Sequence, residues 1–105
     1  MTIRKGTPNC RVHPGEIVRE EFLAPMRMSV YELAKRLRVS APRVNDIVLE
    51  RRRISTDTAV RLSRFFGTTE QFWLKFAEAY EVSRVKAEHG DEIELIEPRE
   101  ANATR

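Results

Sequence analysis

Two runs of side chains in this sequence are suited to recognition by hydrogen bonding rather than to covalent chemistry. In the first, Ala41-Pro42-Arg43-Val44-Asn45-Asp46, the small and polar residues are types that read the edges of stacked bases. Arg43 has a planar fork that matches guanine O6 and N7, and Asn45 can pair with adenine. Ala41 and Pro42 offer apolar contact to a thymine methyl. Asp46 can accept from cytosine or orient Arg43, and the orienting role is preferred. The second run, Arg51-Arg52-Arg53, suits phosphate oxygens, which supply affinity without sequence information. The hydroxyls of Ser29 and Ser40, at the starts of two expected helices, are further phosphate donors.

Such groups work only if a helix presents them to a groove, and the flanking pattern supplies one. Ser29 is placed to N-cap a helix whose apolar residues Val30, Leu33, Ala34 and Leu37 recur at helical spacing. Ser40 is placed to cap a second, with Pro42 in the first turn, where its missing N–H is no loss. Val44, Ile47 and Val48 form the buried face of that helix, which leaves Ala41, Pro42, Arg43, Asn45 and Asp46 outward. The two helices and the short turn between them read as a helix-turn-helix, and Ala34 lets them cross closely. A plain helical hairpin would share this periodicity, but the local charge favours a polyanion partner. Residues 35–64 hold nine Lys and Arg against Asp46, Glu50 and Asp57 only, an excess of six positive charges in a chain of net +3.

The remaining elements complete an all-α bundle of five short helices. His13-Pro14-Gly15-Glu16 reads as the start of helix one, with the stripe Ile17, Val18, Phe22 and Leu23 and a stop near Pro25. Ser55 caps helix four, where Ala59, Leu62 and Phe66 face inward and Gly67 ends the helix. Thr69 opens helix five, striped by Phe72, Trp73, Phe76, Ala77 and Tyr80 and running to about Glu88, before Gly90. Trp73 on that stripe is read as core. Ile93, Leu95 and Ile96 suggest a short strand or a docked extension. Residues 1–12 read as a flexible, mildly basic arm, 13–97 as the folded domain and 98–105 as a disordered tail.

Enzyme chemistry has no footing in the sequence. The two histidines, His13 and His89, lie far apart, and no HExxH, CxxC, phosphate-loop or nucleophile-elbow motif occurs. Asp46, Glu50 and Asp57 are dispersed among arginines and read as charge balance. Cys10 is the single cysteine, so neither an internal disulfide nor a cysteine metal cluster can form, and no cofactor is expected. At 105 residues the chain makes one domain. It has no apolar run near the roughly 20 residues of a membrane span and no secretion-signal core, so no membrane association and a cytoplasmic location are expected.

The motifs His13-Pro14-Gly15-Glu16-Ile17, Tyr31-Glu32-Leu33-Ala34 and Arg43-Val44-Asn45-Asp46-Ile47-Val48 resemble HigA-type (VapI-like) antitoxins of the XRE helix-turn-helix superfamily. Ile54-Ser55-Thr56-Asp57-Thr58-Ala59, Phe66-Gly67-Thr68 and Phe72-Trp73-Leu74 extend the resemblance over about residues 13–82. It implies a five-helix, lambda-repressor-like fold, homodimerisation, binding to an operator in the protein's own promoter, and a HigB-type mRNA-cleaving toxin as partner. Three positions depart from the family pattern. Arg38 stands where the turn usually has glycine, Val30 where many relatives have glutamine, and Leu49-Glu50 where Asn-Gly is common. The last change puts a negative charge near the DNA backbone. A stand-alone XRE repressor without a toxin is the alternative, followed by a protein-interaction module whose arginines meet an acidic partner.

A single recognition helix reads too few base pairs to find an operator among competing sites, which calls for a two-fold dimer on palindromic double-stranded DNA. Helix five is the expected dimer element through Phe76, Tyr80 and Val82, with Val85 and residues 93–96 extending the contact; the alternative is that these residues only complete the monomer's core.

Overall fold

The computed structural model describes residues 12–99. The arm expected over 1–12 and the tail expected over 98–105 lie outside that span, apart from Val12, Pro98 and Arg99. The described residues form five helices and no strand. Helix α1 begins as an α-turn over Pro14–Ile17, widens to π geometry over Val18–Leu23 and closes as an α-turn over Ala24–Met26. Helix α2 is Val30–Leu37, α3 Ala41–Val48, α4 Thr56–Phe66 and α5 Glu70–Glu94.

Each start is set by a side chain. The His13 Nδ1 accepts from Gly15 N–H at 2.8 Å, and Pro14 occupies the first helical position. Ser29 Oγ accepts from Glu32 N–H at 3.0 Å, Ser40 Oγ from Arg43 N–H at 3.3 Å and Ser55 Oγ from Thr58 N–H at 3.2 Å. Thr69 Oγ1 accepts from Phe72 N–H at 3.1 Å. Every cap expected from the sequence is made, and each satisfies an otherwise orphaned donor. Pro25 explains the π segment. Its ring needs the carbonyl four residues earlier moved aside, and the wider register, with Ala24 N–H on Arg19 O, provides that room.

The ends share one device. Arg27, Arg38 and Glu50 adopt left-handed φ of 55°, 63° and 64°, while the N–H groups of Met28, Val39 and Arg51 reach back to Leu23, Ala34 and Asp46 carbonyls at 3.0, 3.0 and 2.8 Å. Only α4 ends on a glycine, Gly67 at φ 77°.

The core is shared by all five helices. Ile17, Val18, Leu23, Leu33, Leu37, Val44, Ile47, Val48, Leu62 and Trp73 are all buried. Trp73 is fully buried among Phe22, Phe66 and Phe72, and its indole N–H reaches Thr68 Oγ1 at 2.7 Å. A close approach joins α1 and α3. A Cβ on Gly15 would lie 1.8 Å from the Ile47 carbonyl oxygen, so the two backbones touch there.

The C-terminal reading is corrected. The first run of α5 does end near Glu88, at a kink at His89, but helix resumes beyond it, and residues 93–96 form neither a strand nor a docked segment. The helix runs through Gly90 to Glu94, interrupted only at His89 (φ −126°, ψ 17°), and Leu95 and Ile96 are 80% and 68% exposed.

Candidate nucleic-acid interface

The α2–turn–α3 unit presents the expected outward face. Val44, Ile47 and Val48 are buried, Pro42 and Asn45 are exposed, and Ala41, Arg43 and Asp46 are half-buried. Ser29 and Ser40 use their oxygens as caps on exposed helix starts, which leaves each hydroxyl proton as a donor. Arg51, Arg52 and Arg53 stand exposed on the loop after α3. Three positively charged side chains therefore stand shortly after the helix whose outward residues are small or polar.

The orientation of Arg43 differs from the expectation. Its Nη2 donates to Asp57 Oδ2 at 2.7 Å and to Thr58 Oγ1 at 2.8 Å, both in the first turn of α4. Asp46 does not orient it; Asp46 Oδ1 instead lies 3.5 Å from Arg51 Nη1. The α4 N-terminus is the better anchor because its dipole favours a carboxylate there. Asp57 also accepts from Arg61 Nε at 2.8 Å. Hydrogen bonds from Arg43 and then Arg61 hold its carboxyl below the usual carboxylate range. Arg61 in turn donates through Nη1 to the Leu37 carbonyl at 2.8 Å and, more weakly, to the Arg38 carbonyl at 3.4 Å. Thus α4 grips both the end of α2 and the outward arginine of α3.

Glu50 is likewise not a free charge beside the arginine loop. Arg19 of α1 pairs with Glu50 Oε2 at 3.2 Å and donates through Nη1 to the Val48 carbonyl. The loop that replaces Asn-Gly is thereby tied to α1.

Sequence reasoning read Asp57 only as charge balance and missed Thr58, Arg61 and Arg19, whose contacts with Arg43, Leu37 and Glu50 join residues distant along the chain. It also passed over Tyr31, 74% exposed two residues after the Ser29 cap. The signal was present, since Tyr31 falls on the polar side of the α2 stripe.

The three side chains expected at a dimer contact are not equivalent. Phe76 packs edge-on to Phe72 at 5.2 Å, and Tyr80 lies edge-on to His13 at 4.8 Å, so both serve this chain's own packing. Val82 is 45% exposed, with Val85 and Ile93 each 39% exposed further along α5. Among the described residues, no group of three or more His, Cys, Asp or Glu is placed to hold a metal ion, and no helix is long and apolar enough to cross a membrane.

Residues 19–73 match the helix-turn-helix family. The chain is 46% identical to virulence-associated protein I of Dichelobacter nodosus, over 88% of this chain and 84% of that one. Its fold superposes on the Pseudomonas aeruginosa antitoxin HigA, solved with the higBA promoter, at a TM-score of 0.82 and 49% identity, over 84% of this chain and 97% of that one. Antitoxin GraA in complex with its operator gives 0.81 and 41%, over 93% and 97%. On sequence and fold alike, the chain belongs to the XRE helix-turn-helix family, among its HigA-type (VapI-like) antitoxins.

Proposed function

We propose that this protein is a sequence-specific DNA-binding antitoxin that represses its own toxin–antitoxin operon and neutralises a HigB-type toxin. The observation that carries the DNA reading is the outward face of α3, bounded by capped helix starts on one side and three exposed arginines on the other. Ala41, Pro42, Arg43 and Asn45 meet base edges. Asp46 aligns Arg51, and Ser29, Ser40, Arg51, Arg52 and Arg53 hold phosphates. The similar HigA and GraA structures contain promoter or operator DNA, which supports DNA binding by this chain. The bound form is a two-fold dimer on a palindrome.

Enrichment of duplexes from a random library by the intact protein tests this directly. The expected product is a palindrome whose half-sites lie about one helical turn, roughly 34 Å, apart or a multiple of it. Replacing Arg52 with alanine is expected to weaken all duplexes alike and to lower the salt slope by about 0.9 per lost phosphate contact. An unenriched library would remove the sequence-specific reading. Co-expression with the adjacent small gene, followed by affinity purification, tests the toxin: an unbound, non-toxic neighbour leaves a stand-alone repressor.

A further inference from the structure

Asp57 lies outside the helix-turn-helix, yet its carboxylate joins both of that motif's helices. Its Oδ2 accepts from Arg43 of α3 at 2.7 Å and from Arg61 at 2.8 Å. Arg61 holds the last carbonyls of α2, Leu37 and Arg38. Thr58, buried beneath, gives Arg43 a second acceptor, and its own N–H and hydroxyl are both engaged with Ser55 Oγ, at 3.2 Å each. Among the described residues these contacts are made by Nη2 of Arg43, which both bidentate forks of the guanidinium share, so Nη1 and Nε are left as single donors to an acceptor outside the protein rather than as a fork. A long arginine side chain otherwise samples many rotamers, and ordering it on binding weakens recognition. Here that ordering is already made before any DNA arrives.

We infer that Asp57 is a specificity-determining positioning residue: it holds Arg43 in the orientation that reads a base and fixes α3 against α2 through Arg61. The inference rests on the proposed base contact of Arg43. Because Asp57 is itself negative and touches no base in this scheme, its removal has two separable effects. Loss of the carboxylate raises affinity for any duplex through charge, while loss of the anchor lowers discrimination at one base pair.

The test compares wild type, Asp57→Asn, Arg43→Ala and the double variant on the best duplex enriched by the wild-type protein. The same preparations are assayed on single-base-pair variants of that duplex and on a scrambled one. The ratio of affinities within one preparation is insensitive to the fraction folded. Asp57→Asn is expected to lower the ratio of enriched to scrambled affinity about three- to tenfold, at the same base pair where Arg43→Ala loses preference. The double variant is expected to lose no more discrimination than Arg43→Ala alone. An unchanged or higher ratio for Asp57→Asn, with Arg43→Ala still selective in its effect, overturns the positioning role and marks the ion pair as inert or as a competitor of DNA. No base-specific effect from Arg43→Ala overturns the base contact itself, and the role of Asp57 falls with it.

Discussion

His13 shows how one residue can be legible by type and illegible by consequence. Its place before Pro14 announces a helix start, but only the folded chain shows the ring buried, capping through Nδ1 and lying against Tyr80. That cap requires the unprotonated nitrogen. Burial lowers the His13 pKa from 6.5, opposed by the charges of Glu50, Glu81 and Glu16 and assisted by Arg19. The unfolded chain therefore takes up the proton first as pH falls. The stabilisation is complete above the unfolded value and is lost as pH drops through the lower folded one. Thermal melts at pH 7.5 and 5.0 are expected to show a drop in Tm that His13→Asn, an untitratable cap, reduces. An equal drop in the variant would assign the acid sensitivity to other groups. Arg43 makes the same point for the recognition face. Its type gives the proposed base contact, whereas its anchor on Asp57 depends on where α4 begins in space.

At the scale of elements, the sequence carried nearly everything local and little that depends on contact. Caps at Ser29, Ser40, Ser55 and Thr69 and the apolar stripes of α2 to α4 were readable because they act within a turn or two. The π register of α1 and the continuation of α5 past Gly90 were not, since each balances a local penalty against neighbouring turns. Gly15 was read only as part of a helix start, yet it is where α1 meets α3. Gly15→Ala is expected to destabilise by roughly 3 kcal/mol, because the methyl meets the backbone carbonyl of Ile47, which cannot swing away as a side chain would. A denaturant midpoint unchanged from wild type would show that α1 can shift without cost. The opposite sign is expected at Arg38, whose left-handed φ of 63° is strained for a residue with a Cβ. Arg38→Gly is expected to stabilise by about 0.5–1 kcal/mol, since the Arg61 bond there goes to backbone and survives the change. A lower midpoint would mean the arginine side chain contributes more than its backbone costs.

The whole molecule is elongated, 52 × 26 × 23 Å, because α5 continues beyond the residues that build the core. Trp73 is its last fully buried residue, and from Val85 onward almost every position is exposed. Val82 and Val85 lie three residues apart on the run before the kink at His89, a spacing that keeps them on one side of the helix, and Ile93 is exposed beyond the kink. A lone exposed helix with an apolar row is stable only marginally unless something covers the row. In the proposed two-fold dimer, the α5 of a second copy covers it, leaving both α3 helices free for successive half-sites. Phe76 and Tyr80 then act indirectly, by fixing the direction in which α5 leaves the core. Two-fold symmetry makes each substitution act twice, so Val85→Asp together with Ile93→Asp would place four charges in the contact. The expected result is dissociation at micromolar concentration in analytical ultracentrifugation, with helix content and the melt of the Trp73 core retained. Affinity for an isolated half-site is expected to persist while the advantage of the full palindrome is lost. A wild-type chain that sediments as a monomer and binds one half-site as tightly as two would end the dimer model. A double variant that remains dimeric would move the interface off this row of α5.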